Sequence, residues 1–163
     1  MNPFKGADKW QTSSGARDEY EYDRPGDYVE DIESIECVMS GAIYVIFKKR
    51  VIEASDDAEH RAGQATKHMF NFSKKPAPGA CKLAILKLFE LSPNDYAGMR
   101  KKLEQAGVQH KQLSDSEVVE QLLLVACEPE QPLEGVRVKA RKREKPLASG
   151  KPFVFVDYEV IRE

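Results

Sequence analysis

Apolar and polar positions alternate most regularly in the two halves of a β-rich pattern. From Ala42 to Glu53 the run Ala-Ile-Tyr-Val-Ile-Phe is dense in β-branched and aromatic residues and predicts a strand. Before it, Asp27 to Met39 carries Val29, Ile32, Ile35, Cys37 and Val38 at irregular spacing, which predicts a strand broken by a bulge or bend. A polar loop from Ala54 to Ala62 leads to a third strand, Gly63 to Phe72. Near the C-terminus, Gly135 to Arg143 and Phe153 to Ile161 again alternate, joined by Lys145-Pro-Leu-Ala-Ser-Gly-Lys151, and predict a closing hairpin.

Between these regions the period becomes helical. Leu83, Ile85, Leu86 and Phe89 predict an amphipathic helix over Ala80 to Leu91. Ser92-Pro-Asn-Asp95 offers a capping hydroxyl, a proline at the first helical position and an acidic third residue, and Ser114-Asp-Ser-Glu117 is a capping box opening a helix through Ala126. The order is β-β-β, helices, β-β. That is the order of the five-stranded oligonucleotide/oligosaccharide-binding (OB) barrel, here with a helical insertion at about residues 80–127. The expected fold is therefore mainly β, an OB-like barrel over residues 27–163. Residues 1–26, polar and interrupted by Gly6, Gly15 and Pro25, read as a flexible acidic arm.

A net charge of −2 hides an uneven distribution. The balance is −6 over residues 1–40, +3 over 41–75, −2 over 76–132 and +3 over 133–163, so both positive blocks are the strand-rich ones. No stretch reaches the roughly 18 apolar residues of a membrane span. The N-terminus lacks a signal peptide's apolar region. Cys37, Cys81 and Cys127, odd in number and set among apolar neighbours, read as core thiols of a reducing compartment. A cytoplasmic location is expected.

The closing hairpin carries the candidate chemistry. Arg137, Lys139, Arg141 and Arg143 alternate with Val136, Val138 and Ala140. A register placing Arg141 opposite Phe155, Lys139 opposite Asp157 and Arg137 opposite Glu159 gives one apolar and one charge-paired face. It leaves Phe153 and Phe155 on the solvent side beside arginines. Rings interleaved with cations suit a single nucleic-acid strand, because bases stack while phosphates are neutralised. The other reading buries the two rings under the helices or in a homodimer interface. Lys142, Arg143, Lys145 and Lys151 surround the hairpin loop, and Tyr44, Lys48 and Arg50, with Ile46 between them, form a matching set on the second strand. Phe70 and Phe72 read as core anchors, and His68 as a sheet residue satisfied by its surroundings. His60, His68 and His110 have no metal-ligand spacing with the cysteines, and CxxC, HExxH, GxSxG and phosphate-cradling glycine motifs are lacking. A non-catalytic protein without a cofactor or metal is expected.

Pro25-Gly-Asp-Tyr before the first strand, together with Leu133-Glu-Gly-Val-Arg-Val-Lys-Ala and Ser149-Gly-Lys-Pro-Phe-Val-Phe-Val-Asp-Tyr in the closing hairpin, resembles the single-stranded DNA-binding proteins of bacteriophage replication and recombination modules. The resemblance spans residues 25–161 in element order and these stretches in residue detail. It implies binding with little sequence preference, beside recombination or replication proteins in the host cytoplasm. The chain ends at Tyr158-Glu-Val-Ile-Arg-Glu163 without the acidic tail of cellular single-strand binders, so recruitment through such a tail is not expected. The alternative is an OB-like protein-interaction module, such as a phage inhibitor or assembly factor, that binds no nucleic acid.

Overall fold

The computed structural model describes residues 19–162. A short β1, Glu21–Tyr22, precedes β2 (Gly26–Met39), β3 (Ile43–Ala54) and β4 (Ala65–Asn71). Helices α1 (Ala77–Leu88), α2 (Tyr96–Gln105) and α3 (Asp115–Ala126) follow, then β5 (Arg137–Pro146) and β6 (Pro152–Val160). The protein is mainly β, as its patterning predicts. The strands form one six-stranded mixed sheet, β1-β4-β3-β2-β5-β6, in which β1 runs parallel to β4 and the other neighbours are antiparallel.

The sheet has one strand more than the five expected, and the extra one comes from the segment read as an arm. Residues 1–18 of that arm lie outside the described residues, but residues 19–26 are built into the fold. Tyr22 pairs with Lys67, the Asp23 backbone N–H donates to the Lys67 carbonyl at 3.0 Å, and the Asp23 side chain is buried.

The sheet curls into a half-barrel. Phe47 on β3 and Tyr158 on β6 are separated in the sheet by two strands, yet their rings stack with centroids 6.0 Å apart. The bend lies in β2, whose register against β3 shifts between Val29 and Glu30 and again between Ile32 and Ser34, where the irregular apolar spacing predicts it. At the entry to β2, Gly26 has φ of +142° and a Cβ there would lie 2.6 Å from the Ala58 Cβ, so only glycine fits.

The concave face and α1 share the main core. Ile32, Ile35, Val45, Phe47, Phe70 and Val138 meet Cys81, Ala84, Ile85 and Leu88 there. A second core, from Leu86, Met99, Leu103, Val118, Leu122 and Val125, attaches α2 and α3 to the outside of α1. The capping box at Ser114 forms as predicted, with its hydroxyl accepting from Glu117 N–H and the Glu117 carboxylate accepting from Ser114 N–H at 2.9 Å. The preceding helix starts later than predicted. Asp95, rather than Ser92, is its N-cap and accepts from Gly98 N–H at 2.9 Å, because residues 92–95 form a turn. Cys81 is buried and Cys37 and Cys127 are half-buried; all three are free thiols, and burial pushes the Cys127 thiol up to about 12.

The β5–β6 register is displaced by two residues from the expected one. Arg141 faces Asp157, Lys139 faces Glu159 and Arg143 faces Phe155. A two-residue slip preserves side-chain parity, so the faces are as predicted and only the partners change. Parity also corrects Lys142, expected among the exposed cations of the hairpin loop: it shares the inward face with Val138 and Ala140 and is fully buried.

Inside the half-barrel, Lys142 joins a cluster drawn from the whole sheet. Its Nζ lies 2.8 Å from Asp23 Oδ1 and 2.7 Å from Glu30 Oε2, while Lys49 Nζ lies 2.6 Å from Asp23 Oδ2 and 3.4 Å from Glu30 Oε1. Lys49 also donates to the Tyr158 hydroxyl at 3.0 Å, and the Thr66 hydroxyl donates to Glu30 at 2.6 Å. Two lysines and two carboxylates thus cancel in charge where water is excluded. Burial opposes ionisation of Asp23, but the charges of Lys49 and Lys142 outweigh it and hold the carboxyl far below the usual range. Asp23→Ala leaves both lysines facing Glu30 alone and should cost about 3–5 kcal/mol in chemical unfolding, the range for breaking a buried pair. Asp23→Leu combined with Lys142→Met, which restores neutrality, should recover part of that loss. Full stability in Asp23→Ala would show that β1 and Asp23 are dispensable.

Candidate nucleic-acid interface

The half-barrel leaves a seam. β1 covers β4 only at Thr66 and Lys67, so the outer edge from His68 to Asn71 has no backbone ladder among the described residues. β6 approaches this edge from the other end of the sheet, and among the described residues it too is unpaired on that side. Between them lies a cavity of about 480 Å³, within the range typical of small-molecule sites. Its walls include Tyr22 and Tyr44, the β4 residues His68 and Phe70, and Phe153 and Phe155 of β6. Phe153 and Phe155 meet edge to face at 4.8 Å, and the edge of Phe153 lies against His68 at 6.0 Å.

Cations surround these rings. Arg24, Lys67, Lys74 and Lys75 line the cavity, Lys145 stands over the Phe155 ring at 5.9 Å, and Lys151 adjoins the lining residue Pro152. Lys74, Lys75, Lys145 and Lys151 make no ion pair among the described residues. Of the residues expected from sequence, the structure gathers Tyr44, Lys145, Lys151, Phe153 and Phe155 at this seam.

The remaining expected residues lie on charge-balanced surfaces. Arg137 binds Asp31 through two hydrogen bonds of 2.8 and 3.1 Å, and Arg143 lies 2.8 Å from Asp27. Arg141 stands between Asp27 and Asp157 in register, and Lys139 beside Glu159. On β3, Lys48 pairs with Glu36 at 3.1 Å and stacks over the Tyr20 ring, while Arg50 is held by Glu33 at 3.0 Å and Glu19 at 3.6 Å. Ile46, between Tyr44 and Lys48 in sequence, is buried with Val38. The Tyr20 hydroxyl, itself pushed up by burial and by Glu33, donates to the Glu33 carboxylate.

Sequence patterning missed Lys74, Lys75 and His68. The lysine pair directly after the Phe70 and Phe72 strand end was a usable signal; what it faces is decided by the curl. Phe70 is core as expected, and Phe72 packs partly buried against it. His68, expected to be satisfied, is 7% exposed, and neither ring nitrogen has a hydrogen-bond partner among the described residues. Its Nδ1 lies 3.5 Å from Asp23 Oδ2.

No protein-family model matches the chain, and no curated protein matches it. Among the described residues no helix is long and apolar enough to cross a membrane.

Burial lowers the titration range of both His60 and His68 below the ordinary 6.5, with the charge of Lys142 acting in the same direction on His60, while Asp23 partly offsets the shift at His68. The folded protein therefore takes up fewer protons than the unfolded chain as pH falls below 6.5. Stability from this source is full above that pH and declines as pH drops toward the folded values. Thermal unfolding between about pH 7 and pH 5 should show a falling Tm, and His60→Gln with His68→Gln should flatten that slope. Asp23 adds a separate loss only below its ordinary 3.8.

Proposed function

We propose that this chain is a non-catalytic binder of single-stranded DNA with an OB-like barrel, engaging the strand along the β4–β6 seam. The observation that carries the reading is the cations Lys74, Lys75, Lys145 and Lys151, unpaired among the described residues and gathered around Tyr44, Phe153 and Phe155 in a gap between two sheet edges. Rings give each base a stacking surface worth about 1–3 kcal/mol, and cations that hold no carboxylate can exchange condensed counterions for phosphates. With β1 set aside, the strand order β4-β3-β2-β5-β6 follows OB order, and its open seam falls where such a barrel would close β4 onto β6. The hairpin's resemblance to phage single-strand binders supports the same reading and suggests action beside recombination or replication proteins. A second reading rests on the edge of His68–Asn71, which has no backbone ladder among the described residues and offers an extended peptide a place as an added strand.

Fluorescence titration with labelled oligo-dT at two salt concentrations tests the function. Lys74→Ala with Lys75→Ala should weaken binding and lower the salt slope by about one unit per lost phosphate contact. Arg137→Ala with Arg141→Ala should cost less, because carboxylates already neighbour those cations. The opposite ranking would move the interface to the outer face of β5. Binding that ignores salt would remove the nucleic-acid reading.

Phe155→Ala separates stacking from packing. Half-buried at the cavity wall, the ring should contribute about 1–3 kcal/mol to oligo-dT binding. Its removal should cost less stability than the about 3–5 kcal/mol of a core phenylalanine. Paired binding and unfolding measurements on this variant read both quantities.

A further inference from the structure

We propose that the seam cavity receives one unstacked nucleobase, and that His68 accepts a hydrogen bond from an N–H on that base's edge; this rests on the single-strand reading above. The cavity is built for a flat, largely apolar group. His68 and Phe70 stack at 4.1 Å and only 8° from parallel, and Phe153 meets His68 edge to face at 6.0 Å, so flat rings line the cavity. Phe153 is half-buried and belongs to an edge strand paired only with β5 among the described residues, so its ring can turn aside to admit a base without breaking a backbone ladder.

The polarity of the wall follows from its neighbours. Asp23, ionised against two lysines, can only accept hydrogen bonds, and it faces His68 Nδ1 at 3.5 Å. The imidazole, kept neutral by burial, therefore carries its proton on Nδ1, leaving Nε2 with a lone pair. That lone pair has no partner among the described residues, and a buried acceptor in this condition calls for a donor. A phosphate oxygen has none to give. The edges of the bases do: thymine N3–H, guanine N1–H and the amino groups of adenine and cytosine. Because every base presents a donor, the contact rewards a base without selecting strongly among sequences. Phosphates fall instead to the cations at the rim.

The test uses the full chain with two probes, oligo-dT and the same oligomer with N3-methylthymine, which keeps the ring and the backbone charge but lacks the donor. The unmodified oligomer should bind about three- to tenfold more tightly, as for one hydrogen bond, and its addition should shift the His68 Nε2 nitrogen resonance. In His68→Phe the two oligomers should bind alike; if that variant does not fold, the comparison in the wild-type protein stands by itself. Equal affinity for both oligomers in the wild-type protein, with an unmoved His68 resonance, would overturn the base pocket while leaving strand binding intact. If oligo-dT does not bind, thymidine alone is titrated. A His68 shift would then keep the cavity as a base site and remove the strand reading, and an unmoved resonance would remove both.

Discussion

Two lysines and two carboxylates meet inside the curled sheet, and the remaining architecture is arranged around them. Asp23 arrives from the end of β1, Glu30 from β2, Lys49 from β3 and Lys142 from β5, while Thr66 of β4 and Tyr158 of β6 complete the hydrogen bonding. Every strand is tied to the same point. Ions buried this deeply add little net stability over an apolar core, because desolvation offsets most of their attraction. They do impose geometry. An apolar cluster tolerates many packings, whereas four charges that must all find partners accept few curvatures of the sheet.

The seam is a consequence of that arrangement. β1 pairs with β4 for two residues only. At Asp23 the chain must turn its carboxylate inward to the lysines, and Pro25, lacking an N–H, cannot resume the ladder before Gly26 enters β2. Among the described residues, the β4 edge beyond Lys67 is left without a backbone partner. Side chains fill the gap instead, with His68 and Phe70 from one side and Phe153 from the other, and the space they leave is the cavity. The same aspartate that anchors the sheet also faces Nδ1 of the histidine on the cavity wall.

Charge is partitioned between faces. Along β5 and the outer side of β3, cations and carboxylates alternate across neighbouring strands: Arg137 with Asp31, Arg143 with Asp27, Lys48 with Glu36, Arg50 with Glu33. Such surfaces present little net potential to a polyanion. The lysines at the seam come from the turn after β4 and from the β5–β6 hairpin, where no acidic strand runs alongside. A near-neutral chain can in this way carry a local positive site.

Local pattern settled much of the fold in advance. Period-two alternation marked β3, β5 and β6, uneven spacing marked the bend in β2, and capping chemistry placed the start of α3, because each depends on residues close in sequence. Parity likewise put Phe153 and Phe155 opposite the apolar face of β6. What patterning could not supply was partners at long range. A two-residue slip in the hairpin leaves every face unchanged, so only packing selects it. Asp23 and Lys142 read as solvent-facing charges until the curl brings them together across more than a hundred residues. β1 is too short to carry a period and exists only because β4 offers an edge and two buried lysines offer a counter-charge. His68, one polar residue on an apolar strand, acquires meaning only when β6 closes over it. Sequence dictated which residues share a face; the closure of the sheet decided which faces meet.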